Sequence, residues 1–196
     1  MSDTEPNFRY TPDDVEDLRD RGEAEWLIEQ YAAWALRAPE LDRVVAQITE
    51  AFTGVVLGDG MGLLEAQAVD DYAGDEERAE IRRRDEKLDW QRIAPETLSK
   101  CYAAPSFLDA RGFVFHLPAF LIAELNDQYE FGFIDVLILP SRGGPRGWQA
   151  LLTKRQRDAL VATLRLVGDH PCYTDHGDRI ERAIQGIQCP PASSAE

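Results

Sequence analysis

Two histidines and a cysteine lie within seven residues near the end of the chain: His170, Cys172 and His176. Imidazole nitrogens and thiolate sulfurs are the ligands that Zn²⁺ prefers, so this segment offers three of the four ligands of a zinc site. A fourth ligand is not evident, and the paired CxxC or HxxxH spacing of structural zinc sites is absent. An ordinary polar loop is the favoured interpretation, with zinc binding as the alternative.

A second group with chemical potential contains four aspartates, which could converge if the helices that carry them pack antiparallel. A cluster of carboxylates can bind a divalent cation or act in acid–base chemistry. Arginines in the same segment can neutralise the carboxylates instead, and structural salt bridges are the favoured interpretation. The four aspartates are Asp70, Asp71, Asp85 and Asp89.

His116 and Asp109 form the third candidate. A histidine beside a carboxylate can serve as a general base, but no nucleophile lies at a defined spacing from this pair. A neutral, hydrogen-bonded imidazole at the end of a strand is therefore favoured. The expectation is that the chain has no catalytic residue, no metal and no cofactor, with Asp85, Asp109 and His116 as the alternative catalytic set.

The elements that would position these residues centre on the apolar block 106–120. Asp109 and Gly112 suit the first and last positions of a four-residue turn, with aromatic and β-branched residues on either side. Pro118 suits the first position of a helix. We predict a predominantly helical α+β single domain with a small antiparallel sheet, whose strands lie near 106–108, 113–117 and 131–139.

Amphipathic periodicity predicts several helices around this block. Thr11 and Pro12 have the residue types of an N-cap and first helical position, and Thr153 and Gly168 those of a helix start and stop. A long charged helix is predicted over 75–90, and the Gly58–Gly62 stretch, which lacks phosphate-binding spacing, is expected to be a linker and helix cap. The predicted organisation is a mobile tail (1–13), appended N-terminal helices (14–38), a core α+β domain (39–168) and a C-terminal extension with a disordered end (169–196).

Several segments together resemble an uncharacterised bacterial family that is catalogued as a domain of unknown function. The resemblance covers about residues 41–168 and implies no reaction, cofactor or catalytic residue. The segments that carry it are Phe52-Thr53-Gly54-Val55-Val56-Leu57-Gly58-Asp59-Gly60, Glu65-Ala66, Asp70-Asp71-Tyr72, Arg82, Asp85-Glu86, Trp90, the FLDAxGFxFHLPA motif from Phe107 to Ala119, and Leu152-Thr153-Lys154-Arg155-Gln156-Arg157.

The formal net charge is −15, and most of it falls in the first half of the chain. The electric field of this negative charge repels nucleic-acid phosphates and attracts basic proteins. We therefore expect a basic protein partner and no nucleic acid. No apolar run reaches the roughly 20 residues that cross a bilayer, and three widely spaced cysteines indicate no disulfide framework. These features favour a cytoplasmic protein that does not bind membranes, and they leave its oligomeric state open.

The favoured function is an acidic protein-interaction module, in the form of an immunity or neutralising protein that binds a basic toxin or a similar partner. The acidic field would steer association, and an aromatic helix would supply buried anchors. The alternative is a metal-assisted hydrolase that uses the clustered aspartates and His116. The residues expected to bind the partner are Trp26, Tyr31, Trp34, Asp75, Glu76, Glu77 and Glu80.

Overall fold

The computed structural model describes residues 7–139 and 144–190, and its regular secondary structure in these ranges is entirely helical. Short 3-10 helices lie at Trp90–Arg92, Ala104–Ser106, Trp148–Leu151 and Pro171–His176. The α-helices of the described residues are α1 (Pro12–Asp20), α2 (Glu25–Ala35), α3 (Ala38–Phe52), α4 (Leu63–Asp70), α5 (Asp75–Arg82), α6 (Pro95–Lys100), α7 (Ala110–Leu125), α8 (Phe133–Ile138), α9 (Lys154–Gly168) and α10 (Gly177–Gln188).

The α+β prediction is wrong, because the central apolar block forms the helix α7 instead of a hairpin. Asp109, expected to open a turn, is the N-cap of α7, and its carboxylate accepts the N–H of Gly112 at 2.7 Å. The helix continues through Pro118, which was expected to start it. Residues 113–117 are therefore helical, and 106–108 include the end of a 3-10 helix and the connection to α7.

The strand-like composition of α7 has a physical explanation in its burial. Thirteen of its sixteen residues are buried. A helix that contacts protein on nearly every side has no polar face, so the 3.6-residue periodicity that identifies a surface helix is missing. Aromatic and β-branched residues then fill the helix because the core needs them, and their β-propensity is overridden by packing.

The third expected strand, 131–139, contains the short helix α8. Gly132 precedes it in a left-handed conformation, and the Glu124 carboxyl group of α7 accepts the N–H of Ile134 at 2.8 Å. A carboxyl oxygen at this position satisfies one of the free N–H groups of the first turn. Burial of Glu124 raises its pKa to about 8. The cap of α8 thus comes from a residue outside the segment, which local sequence cannot indicate.

The core forms where α7, α3 and α9 meet. Helix α3 packs against α7 and α9, α10 packs against α9 and α8, and α6 and α8 contact α7. The expected N-caps Thr11 and Thr153 are confirmed, each in a reciprocal capping box with the residue three positions later. The predicted end of α9 at Gly168 is also confirmed.

The N-terminal and C-terminal segments pack into this same core. Phe8, within the predicted tail 1–13, is buried, and its carbonyl accepts the indole N–H of Trp34 at 2.9 Å. Asp127, which follows α7, accepts the N–H groups of Phe8 and Arg9, both at 2.7 Å. Residues 1–6 of the expected tail and 191–196 of the expected disordered end lie outside the described residues.

The Gly58–Gly62 loop is anchored on the N-terminus of α7. Asp109 Oδ1, which caps α7, also accepts the N–H of Met61 at 3.2 Å. Gly112 lies so close to this loop that a Cβ atom there would overlap the Met61 carbonyl oxygen. The loop therefore has a fixed position, as a connection between α3 and α4.

The charged helix is shorter than predicted, since α5 ends at Arg82 instead of continuing to residue 90. The Glu86 carboxylate accepts the N–H groups of residues 87–89. These bonds form a turn, and the chain does not continue as a helix. Trp90 then donates its indole N–H to the carbonyl of Phe52 at 2.9 Å, which ties this segment to the end of α3.

Among residues 7–139 and 144–190, no helix combines the length and the apolarity needed to span a bilayer.

We predict that replacing Glu124 with glutamine changes the pH dependence of stability. The pKa of Glu124 is about 8, against an ordinary value of 4.5, so the stability that comes from its protonated form is complete below pH 4.5 and is lost as pH rises through 8. Glutamine stays neutral, so Glu124→Gln should match the native protein near pH 4.5 and exceed it above pH 8 by on the order of 5 kcal/mol. Urea unfolding at a series of pH values measures this.

The matched control is Glu130→Gln, because Glu130 is exposed in the same part of the chain. It should leave the profile of unfolding free energy against pH unchanged. A Glu124→Gln profile parallel to the native one would contradict the assignment of a raised pKa.

A second prediction concerns the contact between the Gly58–Gly62 loop and α7. Gly112→Ala should lower the free energy of unfolding by about 1–3 kcal/mol, because the added methyl group overlaps the Met61 carbonyl. Gly186→Ala in α10 is the control, since a Cβ there has open space and should gain up to about 1 kcal/mol from helix propensity. Equal effects of the two substitutions would argue against a tight loop–helix contact.

Candidate functional site: the acidic corner of α4 and α5

Asp85, a member of the alternative catalytic set, has a structural role at the start of α4. Its carboxylate accepts the N–H of Leu64 at 2.7 Å and that of Glu65 at 3.3 Å. Gly62, the residue before α4, has no side chain to cap the helix, and a Cβ there would overlap the Asp85 carboxylate. Asp85 thus supplies the missing cap, and burial raises the pKa of this carboxyl group.

Arg82 fixes α5 to α4 and to the Gly58–Gly62 loop. Its guanidinium group forms an ion pair with Glu65 at 2.7 Å and donates to the carbonyl oxygens of Asp59 at 3.0 Å and Gly60 at 3.2 Å. Asp85 and Arg82 therefore fix α4 and α5 in place through their bonds to the backbone and to Glu65. The outer surfaces of α4 and α5 need not contribute to this attachment.

Helix α5 buries none of its residues. Asp75 forms an ion pair with Arg78, and Glu80 with Arg83, while Glu76 and Glu77 are exposed without an ion pair to any described cation. We call residues 70–80 the acidic corner, since six acidic residues and one arginine lie in this range. Four of the residues expected to bind a partner are therefore on one exposed helix.

Tyr72 lies at the centre of the acidic corner, and its side chain is 95% exposed. Its backbone is left-handed, with φ at +60°, directly after the end of α4. The Ala73 N–H bonds to the Ala68 carbonyl at 2.9 Å and the Tyr72 N–H to the Val69 carbonyl at 3.1 Å, which is the Schellman pattern of helix termination. Glycine is preferred at the left-handed position of this motif, so a tyrosine there is unfavourable for folding and contacts almost nothing.

The aromatic residues expected to bind a partner through α2 are divided between surface and interior. Trp26 is 62% exposed, whereas Tyr31 and Trp34 are buried. The Tyr31 ring stacks on Tyr10, and Trp34 packs edge-on against His170. Only Trp26 of this group is therefore available to another molecule without a rearrangement of the core.

The three residues of the alternative zinc site are not brought together as metal ligands. Both ring nitrogens of His170 are occupied, since Nε2 donates to the Asn7 carbonyl at 3.0 Å and Nδ1 accepts the Cys172 N–H at 3.2 Å. Burial lowers the pKa of His170 to about 4, and His176 lies against the ring of Tyr173. Within 7–139 and 144–190, the structure has no group of three or more His, Cys, Asp or Glu side chains that could hold a metal ion.

The four aspartates considered as an alternative cation or acid–base cluster are likewise dispersed. Asp70 and Asp71 bond to the Gln67 amide at the end of α4, while Asp85 caps the start of that helix. Asp89 caps the following 3-10 helix through the Gln91 N–H at 3.1 Å. These four side chains do not converge on one point.

His116 is buried inside α7. Its Nδ1 is 2.7 Å from the Gly112 carbonyl and therefore carries the proton, while Nε2 has no hydrogen-bond partner among the described residues. Burial lowers its pKa to about 4. The imidazole is neutral near pH 7 and has no access to solvent, and Asp109 is engaged in capping, so this pair does not form an open site for a substrate.

Sequence reasoning missed Tyr72 as a candidate, although its motif, Asp70-Asp71-Tyr72, was part of the resemblance. One sequence signal was available. The first glycine after α4 is Gly74, so the left-handed position two residues after the end of this helix at Asp70 is occupied by a residue other than glycine. The left-handed conformation of that residue depends on where the helix ends, which only the structure defines.

Comparison with known proteins gives one match. No curated protein and no solved structure is significantly similar to the chain. A family model described as a family of unknown function, DUF6714, matches residues 40–185. This range confirms the resemblance recognised over residues 41–168 and extends it to α10, which packs against α9 and α8 in the same core. The match covers most of the sequence, so the chain belongs to this family of unknown function, DUF6714.

Proposed function

We propose that the chain is a protein-binding module whose acidic corner binds a basic protein, with Tyr72 as the aromatic anchor. The observation that carries this proposal is the conformation of Tyr72. The left-handed backbone at Tyr72 lowers stability, and the exposed ring makes no packing contacts with the described residues that would offset this loss. Such residues are concentrated at functional sites.

The composition of the corner supports a protein partner. Tyrosine is enriched in the energetically dominant parts of protein interfaces because its ring buries a large area and its hydroxyl group can form a hydrogen bond. The carboxylates of Glu76 and Glu77 next to it have no cation partner within the described chain. A partner with lysine or arginine side chains would supply the missing cations.

The charge of the whole chain supports fast association with such a partner. The net charge of −15 creates a field that attracts a basic protein at long range, and the corner concentrates six acidic groups within residues 70–80. An immunity role, in which the module masks a basic toxin, is the specific form of this proposal. The buried and helix-capping positions of Asp85, Asp109 and His116 give the hydrolase alternative no comparable support.

The first test separates binding from stability at Tyr72. Tyr72→Gly removes the ring and relieves the left-handed backbone, so the free energy of unfolding should stay the same or rise by about 0.5–1 kcal/mol. Affinity for the partner should fall by at least about tenfold, the loss expected for an interface hot spot. Chemical unfolding gives the first quantity, and surface plasmon resonance with the partner captured from the source lysate gives the second.

Tyr102→Gly is the control for loss of an exposed aromatic ring, because Tyr102 is exposed and lies outside the acidic corner. It should leave affinity unchanged. Unaltered affinity in Tyr72→Gly would reject Tyr72 as the anchor. A large loss of stability in Tyr72→Gly would show that the Tyr72 ring contributes to the fold.

The second test concerns electrostatic steering. Reversal of Asp75, Glu76, Glu77 and Glu80 to lysine should slow association with the partner by about 10-fold or more at low salt, and the difference should shrink as salt rises. Because α5 buries none of its residues, the fold should tolerate the changes. Stopped-flow association rates at several salt concentrations measure the effect.

A second quadruple variant has the same change in net charge and serves as the control. It reverses exposed acidic residues of the α1–α2 region, Asp17, Asp20, Glu23 and Glu29. If the acidic corner is the binding surface, this control should slow association much less. Equal slowing would indicate that only total charge matters and that the corner has no special role.

A further inference from the structure

A cavity of about 570 Å³ lies between α8, α10 and the segment 144–149. Its apolar wall includes Val136 and Ile138 of α8, Ile187 of α10, and Trp148. Arginines are the charged residues of its described lining, which is unexpected in a chain of net charge −15. They are Arg146, Arg179 and Arg182.

These three arginines have no ion pair with a described carboxylate. Elsewhere in the structure, Arg37 pairs with Glu40 at 2.7 Å and with Asp169 at 2.6 Å. At the cavity, Arg182 donates from Nε to the Asp178 carbonyl at 3.1 Å, which leaves its two terminal nitrogens available. These guanidinium groups therefore offer N–H donors that suit a carboxylate or phosphate, and no described carboxylate accepts from them.

The periodicity of α10 places these groups together. Arg179, Arg182, Ala183, Gly186 and Ile187 have the spacing of one helical face, and all five line the cavity. The acidic residues of α10, Asp178 and Glu181, are not part of the lining. The helix thus presents cations and apolar groups to the cavity and directs its carboxylates elsewhere.

Small residues keep the cavity open. Gly144, Gly147 and Gly186 are part of its lining, and a Cβ atom at Gly147 or Gly186 would meet no atom of a described residue within 4 Å. Trp148 is buried and packs against the ring of Phe113, so this wall is fixed to α7. The volume falls within the range of small-molecule sites.

We infer that this cavity binds a small organic anion with a carboxylate or phosphate head and an apolar body. The head would bond to the guanidinium groups of Arg179, Arg182 and Arg146, and the body would lie against Trp148 and Ile187. This inference does not depend on the proposed function of the acidic corner, because none of the lining residues belongs to residues 70–80.

The test is isothermal titration calorimetry of the full chain with octyl phosphate, octanoate, 1-octanol and inorganic phosphate. At least one of the two anionic amphiphiles should bind about tenfold or more tightly than octanol, which lacks the charge, and than phosphate, which lacks the apolar body. Octanol binding as tightly as both anions, or no binding of either anion, would overturn the inference.

Two variants then locate the binding. Arg179→Gln with Arg182→Gln should weaken it about tenfold or more, while Arg165→Gln, at an exposed arginine of α9 outside the lining, should leave it unchanged. Gly186→Phe should block the cavity without a charge change, since its position is open. Binding that survives both the double variant and Gly186→Phe would place the ligand elsewhere and reject the site.

A final comparison distinguishes the sources of the anion. Co-sedimentation with phosphatidylglycerol vesicles and not with phosphatidylcholine vesicles, lost in the double arginine variant, would identify a lipid headgroup as the ligand. Octyl phosphate or octanoate binding without co-sedimentation would identify a soluble amphiphile. Both results support an anion site, and both are independent of the partner of the acidic corner.

Discussion

Carboxylates at and near the ends of α7 connect this buried helix to the chain segments around it. Asp109 at its start holds the Gly58–Gly62 loop through the Met61 N–H, and Glu124 near its end caps α8. Asp127, just beyond the end, holds the backbone of Phe8 and Arg9. Because backbone N–H groups away from water need acceptors, a helix buried on nearly all sides requires such partners. The positions of the loop, of α8 and of the N-terminal segment all depend on α7.

The same requirement explains why the carboxylates that were candidates for catalysis have structural roles. Asp85 and Asp109 each accept backbone N–H groups at the start of a helix, and His116 donates to the Gly112 carbonyl within α7. Removal of either aspartate leaves a backbone donor unsatisfied. A loss of activity after mutation of these residues would therefore not distinguish catalysis from folding. The acids of α5, by contrast, can be changed without disturbing a buried group.

The parts of the fold that were predictable are those determined by local sequence. Thr11 and Thr153 cap their helices as expected. In α3, the buried residues Leu41, Val44, Ile48 and Phe52 recur at three- and four-residue intervals, because one face of that helix is buried and the other is solvated. Helix α7 was not predictable from periodicity, since burial on nearly every side removes the polar face. Helix α8 depends on a cap from Glu124, nine residues before it starts, and is ambiguous when its own segment is considered alone.

The candidate site was predictable only in part, for a related reason. The acids at 75–80 form an exposed surface as expected, because a segment with so few apolar residues cannot be buried. Tyr31 and Trp34 were indistinguishable from interface residues by composition, since aromatic residues serve both cores and interfaces. Their burial follows from the contacts of α2 with the Pro171–His176 segment, which are distant in sequence.

Contacts of Asp85 and Arg82 fix the backbone of the acidic corner, while the side chains on its outer surface remain exposed. Asp85 and Arg82 anchor α4 and α5 to one another and to the Gly58–Gly62 loop, so the exposed side chains of the corner are not needed for this attachment. A surface held in this way is preorganised, and a partner that binds it does not have to order the backbone first. Ordering costs are then limited to side chains, of which the charged ones are long and mobile and Tyr72 is comparatively rigid. Within the corner, Tyr72 is thus the residue whose burial would contribute most to affinity, while the carboxylates would chiefly govern the rate of association.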